Sequence, residues 1–76
     1  MTDLVVTQHR ETVIATDVVA ATCATALDAA VAARLLALKN APPVGLTGAI
    51  MPGTYTYYFD GTNYQGYTVI SYATAA

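Results

Sequence analysis

The apolar pattern along the chain divides it into three parts. Residues 1–16 carry two short β-branched runs, at 4–7 and 12–15, and such runs favour strands. Residues 17–39 are mostly Ala, Val and Leu. In residues 54–74, by contrast, successive side chains fall into two sets that would point to opposite faces of a strand. Helices repeat every three to four residues and strands every two. We therefore predict an α+β chain with an N-terminal strand or arm, one long helix and a C-terminal antiparallel hairpin or small sheet.

The predicted helix, residues 17–39, carries one apolar stripe. Its members follow one another at spacings of four, four, four and three residues: Cys23, Leu27, Val31, Leu35 and Leu38. Such spacing puts all five on one side of a helix. Alanine, the best helix former, fills most other positions, and small side chains let helices approach closely. We expect the four larger stripe residues after Cys23 to make contacts with a partner.

Both ends of this helix carry stop or start signals. Thr16 or Asp17 is expected to cap the first turn, because a short side-chain oxygen accepts a bond from an unpaired amide there. Asn40 is expected to take the left-handed conformation just past the last turn. Pro42 and Pro43 prevent continuation.

A membrane span is the alternative interpretation of this segment, since a span needs about 20 apolar residues. Asp28 lies at its middle and Arg34 in its last turns. A central Asp costs about 2.5–3.5 kcal/mol on insertion scales, and each Leu returns only about 0.3–0.6 kcal/mol. We therefore expect the helix to pack on its own domain or on copies of itself.

The segments on either side of the helix are less regular. Residues 8–11 separate the two β-branched runs, so the N-terminal part forms either a hairpin or an extended arm that adds a strand to a neighbour. We expect His9 to lie in a solvated turn. The linker, residues 40–53, contains a short strand or loop at 46–50, followed by a Met-Pro-Gly turn at 51–53.

Residues 54–59 and 64–74 read as two strands joined by the turn signal Asp60-Gly61. Gly66 predicts a bulge or a close approach of another backbone segment. All six tyrosines fall in this segment, and they either pack the sheet on the helix and on neighbouring copies or form a binding face. The tyrosines expected to make contacts are Tyr55, Tyr57, Tyr67 and Tyr72.

Size and charge indicate that the chain does not act alone. It has 76 residues, and 11% of them are charged, against about 25% in typical domains. We expect one small domain, and domains of this size are marginal unless a disulfide, a metal or a partner stabilises them. One cysteine and one histidine provide neither an internal disulfide nor a four-ligand zinc site. The source of additional stability that remains is oligomerisation, or docking on a larger body.

No pattern of catalytic residues emerges. Cys23 lies in the helix stripe, which is typical of a buried inert thiol, and the five acidic residues are scattered. We predict a non-enzyme without cofactor or metal. The net charge of −2 offers no basic patch for nucleic acid. The first residues lack a signal-peptide pattern, so synthesis in the cytoplasm is expected.

The layout resembles that of small virion proteins of tailed bacteriophages. Short arms, an Ala-rich helix, a Pro-Pro break and the Thr/Tyr/Gly-rich segment 54–64 are similar to their fibre, spike and head-decoration segments. The resemblance implies a structural protein of the virion that self-associates, with a trimer favoured as in phage fibre ends, or docks on larger virion proteins. The four-residue spacing of the stripe departs from a long coiled coil. The alternatives are a holin-like or pilin-like membrane subunit and a module whose tyrosine face binds a host protein.

Overall fold

The computed structural model describes residues 5–75, and in this part of the chain four strands and one helix form two layers. Their bounds are β1 Val6–Asp17, α1 Ala20–Asn40, β2 Leu46–Pro52, β3 Thr56–Phe59 and β4 Tyr64–Ala75. All strand pairs are antiparallel and belong to one sheet. The predicted α+β class, with an N-terminal strand, one helix and a C-terminal antiparallel sheet, is confirmed.

Strand β4 is the centre of the sheet. It pairs with β1 over its whole length without a register shift, from Val6 opposite Ala75 to Asp17 opposite Tyr64. Its other side is shared by two short strands, because β2 pairs with its C-terminal half and β3 with its N-terminal half. The sheet is therefore three strands wide at any height.

The core lies between α1 and one face of this sheet. Leu27 and Ile70 are fully buried, and Val31 and Leu38 are at most 5% exposed. Cys23 is also fully buried, and Leu35 packs against the core from its rim. The predicted helix stripe is thus confirmed, and it faces the sheet of its own chain.

The N-terminal part is one strand and not a hairpin. Residues 8–11, predicted as a possible turn, continue β1, because every residue there pairs with β4. His9 is part-buried in this strand, stacked on Tyr72 with ring centroids 4.9 Å apart. Its Nε2 shares a 2.8 Å hydrogen bond with the Thr74 hydroxyl. The prediction of a solvated turn histidine was wrong, and residue 4 of the first predicted run lies outside the described residues.

The helix begins three residues later than predicted. Thr16 and Asp17 belong to β1, so neither caps the helix, and Val19 occupies the N-cap position without a side-chain bond. The Asp17 carboxylate instead accepts a hydrogen bond from the Val19 amide at 2.9 Å. Pairing with β4 holds these residues in extended conformation and delays the first helical turn.

The C-terminal end of the helix also differs in detail. Asn40 is the last helical residue, and the amide of Ala41 donates to the carbonyl of Ala37 at 3.0 Å. No non-glycine residue within 5–75 has a positive φ, so the left-handed conformation predicted for Asn40 is wrong. The helix ends two residues before Pro42, so it stops ahead of the Pro-Pro pair as expected.

The rest of the chain follows the predicted order. Residues 46–50 form a strand, and Met51 and Pro52, predicted as part of a turn, are its last members. The β3–β4 hairpin is confirmed: the Asp60 amide donates to the Asn63 carbonyl at 3.0 Å, and Gly61 has a φ of 100°. The Asp60 carboxylate accepts hydrogen bonds from backbone amides within the turn, which lowers the pKa of Asp60.

Candidate interaction surface

The sheet has one face covered by α1 and one face that no element of residues 5–75 covers. Successive side chains of a strand point to opposite faces, so the β1–β4 register assigns each residue to one face. We call the uncovered side the open face. Its members are Val6, Gln8, Arg10, Thr12, Ile14, Thr16, Thr47, Met51, Thr56, Tyr58, Gln65, Tyr67, Val69, Ser71, Ala73 and Ala75.

Large apolar side chains on the open face reach solvent. The exposed fraction is 64% for Ile14, 62% for Met51, 52% for Tyr58 and 39% for Tyr67. Arg10 is the one charged residue among its members. A solvated sheet face normally alternates in polarity with the buried face, whereas here both faces carry apolar residues. The open face therefore combines large exposed apolar side chains with uncharged polar residues and one charge.

Two tyrosines pack against each other on the open face. The rings of Tyr58 and Tyr67 meet edge to face, with centroids 6.5 Å apart. Tyr57 lies on the opposite side, where its ring covers Gly66. A Cβ atom at Gly66 would come within 2.8 Å of that ring. The close neighbour is a side chain and not the backbone that was predicted, and the pairings of β4 with β1 and β3 show no bulge at Gly66. The pKa of Tyr57 is raised, chiefly because packing removes water from its hydroxyl and secondarily because Asp28 lies nearby.

The eight residues predicted to make contacts separate into two groups. Leu27, Val31 and Leu38 are buried against their own sheet, and Leu35, Tyr55 and Tyr72 pack at the rim of the same core. Tyr57 and Tyr67 remain 45% and 39% exposed. Only these two present a large surface to a partner.

Sequence reasoning missed Ile14 and Met51, the most exposed large residues of the open face. The available signal was the pair of apolar neighbours Val13 and Ile14, which point to opposite faces of any strand. A strand with apolar residues on both sides has apolar surface to bury on both faces of its sheet.

The outer edge of β1 is the second exposed feature. In the described chain β1 pairs only with β4, so the backbone groups on its other side have no strand partner. We call this the free edge. The strand is 12 residues long and contains no Pro or Gly. An edge of this length without such residues is a template for pairing with another strand.

An ion pair holds the helix over β1. Arg34 donates from Nε and Nη2 to the two carboxylate oxygens of Glu11, both at 2.7 Å. The hydrogen bonds from Arg34 are the main reason that the pKa of Glu11 is lowered. Both side chains are partly exposed, at 44% and 31%, so the pair orients the helix more than it stabilises the fold.

A hollow of about 380 Å³ separates the end of α1 from β2. One helix is about 10 Å across and a three-stranded sheet about 14 Å wide. Because α1 packs over β1 and β4, β2 is left partly uncovered. The lining residues are Leu35, Leu38, Lys39, Pro42, Leu46 and Ile50.

Within residues 5–75 no three His, Cys, Asp or Glu side chains could hold a metal ion. The Cys23 Sγ is buried, 3.5 Å from the carbonyl oxygens of Ala15 and Tyr64. By length and composition α1 could cross a membrane, and 22% of its most apolar window is buried in the fold.

Comparison of the chain with protein families, with curated proteins and with solved structures finds no match.

Proposed function

We propose that this chain is a structural subunit that self-associates, and that it serves in a virion-like assembly. The observation that carries the proposal is the open face, which exposes Ile14, Met51, Tyr58 and Tyr67 and carries a single charge. Exposed apolar patches of more than a few hundred Å² are rare on monomers and mark interaction sites.

The dimensions of the open face suit this role. Strands of 12 residues are about 40 Å long, and three strands are about 14 Å wide, which gives a projected area of about 550 Å². Stable interfaces bury about 800 Å² on each partner. Side-chain relief and the free edge add to the projected area, so the surface is large enough to join subunits or to dock on a larger protein.

The virion assignment rests on the resemblance of the chain layout to small phage structural proteins. An assembly also supplies what a 76-residue chain with one cysteine lacks, namely additional buried surface in place of a covalent or metal link. Neighbouring copies or larger virion proteins would cover the open face. The trimer favoured by the resemblance stays a prediction.

A membrane-associated subunit is the second candidate, because α1 is long and apolar enough to cross a bilayer. Against it, α1 uses its larger residues to cover its own sheet, and Arg34 is paired with Glu11 of β1. Crossing a bilayer would expose that apolar sheet face and break the ion pair. Partition of the purified protein into the detergent phase would favour this candidate.

Sedimentation velocity tests the proposal directly. We expect the wild-type protein to sediment as an oligomer over about 1 to 100 μM, with a mass that falls on dilution. Tyr67→Lys, which puts a charge on the open face, should shift the protein towards smaller species. Val44→Lys is the matched control, since Val44 is 95% exposed in the turn after α1 and lies off the sheet.

A folded monomer across this range would overturn the proposal. Equal effects of Tyr67→Lys and Val44→Lys would show that the open face is not the contact surface. A monomer that binds one host protein with its tyrosines would instead support the binding-module alternative.

A further inference from the structure

We propose that β1 pairs antiparallel with β1 of a second copy across a two-fold axis perpendicular to the sheet, making one continuous sheet from two subunits. This inference rests on the proposed self-association and names the surface, the partner and the register. The free edge carries it, because β1 has 12 residues and one strand partner in the described chain.

The free edge lacks several of the features that normally prevent edge pairing. Natural edge strands are blocked by proline, bulges, short length or charged side chains. β1 is 12 residues long, pairs with β4 without a bulge and contains no proline. Its charged residues are Arg10 on the open face and Glu11 and Asp17 on the covered face, and Glu11 is paired with Arg34. These charges allow a second strand only in a register that keeps like charges apart.

Charge selects the register. A two-fold axis perpendicular to the sheet keeps side chains on their own face. One residue of β1 must therefore lie opposite the same residue of the second copy, and the axis is named by that residue. An axis at Arg10 or at Glu11 would set that charge against its own copy, which is destabilising. An axis at Val13 sets His9 opposite Asp17 of the second copy. The other two charged residues, Arg10 and Glu11, then lie opposite uncharged residues.

The Val13 register also pairs the apolar and β-branched residues. Thr12 lies opposite Ile14 of the second copy, and Val13 lies opposite itself. Cross-strand pairs of β-branched residues stabilise antiparallel strands. An axis at Thr12 would instead set Ile14 against the charged Arg10, so we assign the axis to Val13.

The side of the helix towards β1 carries small residues that suit this arrangement. The helix contacts β1 more extensively than β4, so pairing of two β1 strands brings two helices side by side. Arg34 marks the helix side towards β1, because it bonds Glu11. Residues three or four apart share a side, and the neighbours of Arg34 on that side are Ala30 and Ala37. These small residues suit the interaxial distances of about 8–10 Å seen between packed helices.

Edge pairing enlarges the surface described above. Both helices lie on the same side of the continuous sheet, so the two open faces join into one face of about twice the area. A two-fold contact is closed at two copies. The expected unit is therefore a dimer, in place of the trimer favoured by the resemblance, and the joined open faces remain free to dock on further subunits.

Disulfide trapping tests the edge and the register together. The variants are Thr12→Cys and Ile14→Cys, mixed under mild oxidation with one chain carrying a tag. In the Val13 register these positions face each other at a separation of about 4.5–5.5 Å between Cα atoms, within reach of a disulfide. Wild type, whose Cys23 is buried, measures the background. Thr56→Cys, on the open face at the far side of the sheet, is the matched control.

We expect a disulfide-linked heterodimer in the mixture. Thr12→Cys alone, Ile14→Cys alone and Thr56→Cys should each give no crosslinked dimer above the wild-type background. Crosslinking of Thr12→Cys alone would contradict the Val13 register. Preferential crosslinking of Thr56→Cys would replace edge pairing with face-to-face packing. No crosslink in a chain that sediments as an oligomer would refute edge pairing and leave the proposed function standing, whereas a wild-type monomer would remove both.

Hydrogen exchange of the wild-type protein gives a second measurement that needs no variant. In β1, alternate amides point towards β4 and towards the free edge. As concentration rises and dimers form, the edge-directed amides should exchange more slowly while those bonded to β4 change little. Unchanged exchange of the edge-directed amides upon oligomerisation would overturn the proposal.

Discussion

Replacing Ile14 by Thr should weaken self-association without disturbing the subunit. Ile14 is 64% exposed on the open face, opposite Tyr67 of β4. Threonine keeps the β-branched shape and the strand preference of isoleucine. Because the side chain points away from the core, the stability of the isolated subunit should change by no more than about 0.5 kcal/mol.

The size of the effect follows from the exposed fraction. Complete burial of an isoleucine side chain contributes about 1.5–3 kcal/mol. With 64% of Ile14 still exposed in the subunit, contact with a partner contributes up to about 1–2 kcal/mol per copy. A contact that packs two open faces together uses the residue twice, so up to about 2–4 kcal/mol is lost, which raises the dissociation constant of that contact by up to about 30- to 900-fold.

Sedimentation equilibrium at several loading concentrations measures this constant. Val44→Thr is the matched control, because it makes the same type of change at a residue that is 95% exposed off the sheet. The dissociation constant of the control should equal that of wild type. If Ile14→Thr associates as tightly as wild type, or if Val44→Thr weakens association equally, Ile14 does not lie in the contact and the reasoning from the open face fails.

Three further substitutions test the fold and its charge. Leu27→Ala should lower the free energy of unfolding by about 2–5 kcal/mol, because the side chain is fully buried; Leu36→Ala, at a 56% exposed helix position, should change it little, as urea titration will show. Gly66→Ala should cost about 1–3 kcal/mol in the same assay, since the added methyl meets the ring of Tyr57, and unchanged stability would contradict that packing. The lowered pKa of Glu11 means that its ionised form stabilises the fold above its ordinary pKa of 4.5 and that this contribution disappears as pH falls through the lower folded value. Glu11→Gln should therefore flatten the acid side of the pH–stability curve, and an identical curve would show that the ion pair is not formed in solution.

The elements that depend on local sequence were predictable. The stripe from Cys23 to Leu38 repeats at helical spacing and packs on the sheet, and the Asp60-Gly61 turn forms the expected hairpin. In each case neighbours within a few residues determine the conformation, so the residue types alone carry the information.

The N-terminal part was not predictable in the same way, because its partner is distant along the chain. Val6 pairs with Ala75 and Asp17 with Tyr64, which are separated by most of the sequence. That pairing keeps residues 8–11 extended where a turn was considered, and it holds Asp17 in the strand where a helix cap was expected. Local propensity is a weak guide when such a ladder is available.

The candidate surface was only partly predictable for a related reason. Tyr57 and Tyr67 were expected to make contacts and are exposed, but Leu27 and Val31 were assigned to a partner and instead cover their own sheet. The spacing of an apolar helix stripe does not show whether the stripe is buried by its own chain or by a partner. Ile14 could be identified as a candidate contact residue only from the β1–β4 register, which shows that it lies on the face of β1 that the helix does not cover.

The two-layer architecture of the described chain leaves one face of the sheet without a covering element. A single helix, about 10 Å across, covers one face of a sheet that is about 14 Å wide. Residues 5–75 contain no second helix, so the other face and the strip over β2 stay uncovered. Charged side chains would make exposure of the open face to water less unfavourable, but the only charged residue on that face is Arg10. An uncovered face with large exposed apolar side chains and a single charge is suited to contact with another subunit, and the long free edge of β1 beside it provides backbone groups that could align one.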